Sequence, residues 1–164
     1  MTEPADVIGK PTAKSTLVVE RGPLSAFALA VTDTNPIYRD ETVAKAAGFD
    51  GIPIPPTFPF ALPALGVFPE LQPDDAPAPG DNPLGEIIGG LMAEGGMILH
   101  GEQEFEYHRP VVAGETLHEE GKVVDLYTKE SKGRTMTFLV TETEYRGADG
   151  EVAITARFNL IHRS

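Results

Sequence analysis

The run Asp33-Thr34-Asn35-Pro36-Ile37-Tyr38 gathers a carboxylate, an amide and a phenol within six positions. A carboxylate beside two hydrogen-bonding side chains can orient a water or take its proton. Asp33 is therefore a candidate catalytic base, Asn35 a candidate for holding water or ligand, and Tyr38 a candidate pocket-lining donor. Each has a plainer reading: Asp and Asn near a proline make turns by bonding their own backbone, and a Tyr at a turn edge packs its ring. Tyr38 is a poor base at neutral pH, since a free phenol titrates near ~10 whereas histidine titrates near ~6.5. His100, next to Gly101 and close after a long loop, is the candidate replacement base. His100 and His108 bracket a strand in which Phe105 and Tyr107 alternate with Glu102, Glu104 and Glu106, and strict alternation puts both histidines on the charged face. His118 and His162 carry no motif. With no cysteine, a thiolate nucleophile, a disulfide and a thiolate zinc site are excluded. No His, Asp and Glu spacing suits a metal, so none is expected.

These residues have to be positioned by the elements around them. Ser15 to Val19 has the β-branched content of a strand. Leu24, Phe27, Ala28 and Val31 then fall on one helical stripe, with Pro23 suited to the first turn, and Pro36 ends the helical region. Asp40 to Gly48 predicts a short helix with an Asp N-cap and a Gly at its end. The prolines at 53, 55, 56, 59 and 63 confine any helix there to about Pro56–Leu65, kinked at Pro63. Phe68 to Gly96 reads as a long Pro/Gly-rich loop, either a lid or a surface insertion. Four strands follow, near Ile98–His108, Leu117–Tyr127, Arg134–Tyr145 and Glu151–Ile161, with hairpin turns at Lys132-Gly133 and Asp149-Gly150. Helices first and strands after argue an α+β fold built on an antiparallel sheet.

The chain has 164 residues, 41% of them hydrophobic, which suits one domain over 1–164 with its own core. Its formal net charge of −12, with no basic run to offset it, argues against nucleic acid and anionic membranes as partners. An anionic cofactor held by a few local Lys and Arg residues stays compatible with that balance. Met1 to Lys10 lacks the basic start and apolar stretch of a signal peptide, and no apolar run reaches membrane-spanning length, so a cytoplasmic protein is expected.

The run Asp33-Thr34-Asn35-Pro36-Ile37-Tyr38, the segment Gly48-Phe49 to Thr57-Phe58, and the stretch His100 to Glu115 with its Phe105, Pro110 and Gly114 resemble the MaoC-like, (R)-specific enoyl-thioester hydratase family. The resemblance covers most of the chain outside 68–96. It implies a hot-dog fold, a curved antiparallel sheet wrapped around a central helix near Pro56–Leu65. The implied chemistry is addition of water to a 2-enoyl thioester, which needs an Asp/His pair for proton transfer and N–H donors for the thioester oxygen. Tyr38 stands where the motif has its histidine. Pro55-Pro56 stands where the family has a His-Gly pair donating an N–H, and proline has none; a one-residue shift would bring Thr57 there.

That pair of departures resembles the N-terminal-type, FAS1-like dehydratase domains, whose partner domain or subunit supplies the Asp/His dyad. The implied role is a subunit of an (R)-specific 2-enoyl-CoA hydratase or 3-hydroxyacyl-thioester dehydratase. Its site residues are Asp33 and His100, with Asn35, Tyr38, Pro56, Thr57 and Gly101 binding substrate. The acyl group arrives as a CoA or acyl-carrier thioester and no further cofactor is implied. The implied partner is a second MaoC-like hot-dog subunit or a second copy of the chain. The alternatives are an acyl-thioester binding module without activity and a hot-dog thioesterase, the latter disfavoured because Thr57 to Leu65 contains no carboxylate.

Overall fold

Alternating apolar residues in the second half do build strands, and long ones. The computed structural model describes residues 7–76, 83–93, 95–131 and 133–164. Strand β1 (Pro11–Val18) leads into helix α1 (Arg21–Ala30), a 3-10 turn (Pro36–Tyr38) and helix α2 (Glu41–Ala46). A second 3-10 turn (Phe58–Phe60), the one-turn helix α3 (Leu62–Leu65), a third 3-10 turn (Pro69–Leu71) and helix α4 (Pro83–Ala93) follow. Strands β2 (Met97–Tyr107), β3 (Thr116–Ser131), β4 (Arg134–Arg146) and β5 (Val152–Arg163) complete one antiparallel sheet in the order β1-β3-β4-β5-β2. This is the expected α+β hot-dog architecture.

The helices close one face of that sheet over two apolar clusters. Leu17, Leu24, Ala28, Ile52, Phe58, Leu62, Leu117 and Ile154 form the first, under α1 and the 52–62 segment. Ile87 of α4 joins Val7, Val123, Leu126, Leu139 and Leu160 in the second. Between them the same face carries buried Glu119 and Thr141. Asp40 caps α2 as its sequence predicts, accepting from the N–H groups of Thr42 and Val43, and Gly48 ends it at φ +93°. Gly150 turns the last hairpin at φ +82°. Lys132 of the other predicted turn lies outside the described residues.

Three expectations need correction. The central helix is not at Pro56–Leu65, where repeated prolines leave only short turns; the longer helix is α4, inside the stretch read as a loop. Val31 does not complete the α1 stripe, because the helix stops at Ala30 and leaves Val31 47% exposed. Third, β2 does not alternate strictly. His100 pairs with Leu160 and Gln103 with Phe158, so Gly101 and Glu102 together oppose Asn159 in a β-bulge. One extra residue moves His100 off the glutamate face and onto the helix-facing side with Phe105 and Tyr107. His108 stays on the outer side, its Nε2 2.9 Å from the Thr155 hydroxyl.

Candidate functional site

The turn after α1 is held tightly. The N–H of Asp33 bonds the Ala28 carbonyl, which forces Thr32 to φ +61°, a left-handed conformation that is costly for a β-branched residue. Asp33 Oδ1 accepts from the Asn35 N–H at 2.9 Å, and Asn35 Oδ1 accepts from the Ile37 N–H at 3.2 Å. Both side chains thus make the turn bonds that their types favour. The turn drives Tyr38 inward, where its backbone carbonyl accepts from Ser25 Oγ at 3.0 Å. Burial, and then the nearby Asp33 carboxylate, push the Tyr38 phenol above its ordinary pKa.

Tyr38 forms one wall of a cavity of about 310 Å³ with Ile37, Phe49, Ile54, Pro56 and Tyr107; Arg109 and Val111 also line it. Across it, the Tyr107 hydroxyl donates to the Pro56 carbonyl at 3.0 Å. Three residues on, the Tyr145 hydroxyl reaches the Pro59 carbonyl at 3.4 Å. Two phenols from the sheet therefore clamp one proline-rich turn. Burial raises the pKa of both, and a neighbouring acidic side chain raises it further: the Tyr38 phenol for Tyr107, the Glu119 carboxyl for Tyr145. Neither phenol serves as a base at neutral pH. Arg109 is tied by an ion pair to Glu115 at 2.8 Å. The cavity can hold an apolar chain, with phenol hydroxyls and one guanidinium at its margin.

The structure brings Tyr38 and Pro56 together on this cavity and sets Asp33 and Asn35 in the turn beside it. Thr57 is exposed on the clamped turn and makes no side-chain cap bond. His100 and Gly101 lie elsewhere: Tyr107 is seven residues further along β2, on the order of 20 Å at the usual strand rise. His100 packs between Phe60 and Phe158, with ring centroids 5.6 and 4.6 Å away. Gly101 occupies the bulge, where a Cβ would stand 2.8 Å from the Asn159 carbonyl oxygen. Tyr107 and Arg109 escaped the sequence reading because a strand tyrosine reads as core and an Arg-Pro pair reads as turn. Among the described residues no group of three or more His, Asp or Glu side chains could hold a metal, and no helix is long and apolar enough to cross a membrane.

A family model described as FAS1-like, dehydratase domain region, matches residues 6–156. A UPF0336 protein of Parafrankia sp. (strain EAN1pec) is 32% identical over 159 residues, which cover 96% of this chain and 93% of that protein. The probable enoyl-CoA hydratase alpha subunit of Thermomonospora curvata is 32% identical over 138 residues, 80% of this chain and 41% of the longer relative. Among solved structures, the ChsH1-ChsH2 complex from Mycobacterium tuberculosis has a chain that matches at TM-score 0.75 and 24% identity, covering 93% of this chain and 83% of its own length. Solved MaoC-like dehydratases share the fold as well.

Proposed function

We propose that this chain, which belongs to the FAS1-like dehydratase domain family of MaoC-like hot-dog hydratases and dehydratases, is the acyl-binding subunit of an (R)-specific 2-enoyl-CoA hydratase or 3-hydroxyacyl-thioester dehydratase. One observation carries the reading. The cavity under the Asp33 turn keeps apolar walls and a clamped floor, yet a high-pKa phenol, Tyr38, stands at the motif's histidine position and Pro56, without an N–H, stands near the donor position. Hydration places hydroxyl on the β-carbon and a proton on the α-carbon, and both transfers need a group that titrates near neutrality. A partner hot-dog subunit supplies that dyad in this reading, while the present chain shapes the acyl channel in the cytoplasm. The thioester arrives on CoA or on an acyl carrier.

The test is loss of enoyl absorbance from crotonyl-CoA, with the chain alone and after co-expression with the MaoC-like protein of a neighbouring reading frame. Turnover only in the mixture supports the reading. Turnover by the chain alone, lost in His100→Ala, overturns it in favour of a rebuilt site. Thioester binding without turnover in either preparation marks a binding module, the second reading, which the same missing groups favour. The thioesterase alternative gains nothing from α4: its Glu86 is exposed in the first turn and does not line the cavity.

A further inference from the structure

Strand β2 is an edge. It pairs with β5 on one side, apart from the bulge at Gly101 and Glu102, and no described strand covers the other. Met97 (43%), Leu99 (38%) and Phe60 (62%), the last beside His100, expose apolar surface along it. A long, partly apolar edge is a template for another strand. Its outer face carries Glu102, Glu104 and Glu106, and among the described residues the cation near Glu104 and Glu106 is Arg157. Among the described residues, Glu102 receives the Asn159 amide alone, at 3.2 Å. Arg157, opposite Glu104, is already held by Glu142 through Nε at 3.0 Å and Nη2 at 2.9 Å.

We propose that this glutamate row is a charge lock: it keeps two copies of the chain from pairing through β2 and reserves the edge for a different hot-dog subunit whose own edge strand presents lysine or arginine. The proposal rests on the reading of the chain as one subunit of a pair, and it names the partner's chemistry. Two copies joined antiparallel about a two-fold axis normal to the sheet keep outer face beside outer face, and along the stretch Glu102–Tyr107 beyond the bulge facing residues sum to a constant. An axis at Glu102, where the stretch Glu102–Tyr107 beyond the bulge begins, sets that carboxylate against its own copy. Moving the axis to position 103, 104, 105 or 106 still sets glutamate against glutamate. Like charges directly opposite destabilise a strand pair, and opposite charges stabilise it. Sliding clear of the row sacrifices much of the ladder.

Because the lock is electrostatic, this chain can test it without its natural partner. Wild type, the triple variant E102K/E104K/E106K and their equimolar mixture are compared by sedimentation velocity, with circular dichroism melting as the check on folding. The mixture is expected to form a one-to-one dimer about tenfold or more tighter than either protein alone at low salt, an advantage that fades at about 0.5 M salt. Wild type that dimerises alone as tightly as the mixture overturns the lock. So does a mixture of folded proteins that stays monomeric. If the lysine variant fails to fold, E102Q/E104Q/E106Q takes its place: it must self-associate more tightly than wild type at low salt, and equal or weaker association overturns the proposal. Crotonyl-CoA turnover is not part of this readout, so a chain that proves to be no hydratase subunit leaves the result interpretable.

Discussion

Replacing Tyr145 by phenylalanine should destabilise the protein more than replacing Tyr107, although Tyr107 makes the shorter bond to the clamped turn. The Tyr107 hydroxyl donates to Pro56 at 3.0 Å from a residue 36% exposed, so water can reach the freed carbonyl. The net loss for Tyr107→Phe is about 0.5–1 kcal/mol. Tyr145 is 4% exposed, and its single hydroxyl proton is shared between two acceptors, the Pro59 carbonyl at 3.4 Å and the Glu119 carboxyl, itself 7% exposed and otherwise held by Ser15 Oγ at 2.5 Å. Phenylalanine leaves that carboxyl one donor short where water does not reach, a cost of about 1–3 kcal/mol. The cost should also depend on pH. Burial raises the Glu119 pKa in the fold, and the Ser15 and Tyr145 hydrogen bonds pull it partly back; without Tyr145 the folded value rises further while the unfolded value stays. A carboxyl with a raised folded pKa favours the fold least when ionised, so stability is lost as pH climbs through the unfolded value toward the folded one. Urea unfolding at about pH 4 and about pH 8 should therefore show the Tyr145→Phe deficit growing toward alkaline pH and the Tyr107→Phe deficit staying level. A Tyr107→Phe loss as large as that of Tyr145→Phe, or a Tyr145→Phe loss equal at both pH values, would refute the reasoning.

Gly101→Ala places a Cβ 2.8 Å from a backbone oxygen and 2.9 Å from Ile161 Cδ1; equilibrium unfolding should register a loss of about 1–3 kcal/mol. Thr32→Gly relieves a left-handed β-branched residue at φ +61° and should raise stability by about 1 kcal/mol in the same assay, after the entropy cost of glycine. Asp40→Ala removes the oxygen that accepts from Thr42 and Val43 and should cost about 1 kcal/mol. Tyr38→His restores the motif's imidazole but not an N–H at Pro56, so crotonyl-CoA hydration by the chain alone should stay at background, and measurable turnover would show that the base was all it lacked.

Local chemistry made most of the fold legible. Strands β2 to β5 announce themselves by alternation, the α2 cap by Asp40, and the last hairpin by Asp149-Gly150. Helix α4 does not. Pro83-Leu84-Gly85-Glu86-Ile87-Ile88-Gly89-Gly90-Leu91 has three glycines and poor intrinsic propensity. Its helix depends on burying Ile87 and Leu91 against the sheet, at 6% and 5% exposure. Tertiary packing decides that segment, and a reading confined to neighbours along the chain cannot see it.

The site divides along the same line. Spacing within one turn places Asp33, Asn35 and Tyr38, because hydrogen bonds two residues apart fix their geometry. His100 was misplaced by a count: period-two alternation holds only while the ladder is regular, and a single bulge inverts every later assignment of face. Gly101 was the visible hint, since glycine inside a strand pattern marks a bulge or a close backbone approach. Counted from Tyr107 backwards, the extra residue sends Glu102 outward with Glu104 and Glu106 and turns His100 toward Phe60 and Phe158. The same irregularity therefore separates an apolar-flanked histidine on the helix side of the edge from an unbroken row of carboxylates on its outer side. An edge with two such different faces can admit a strand only if that strand matches both.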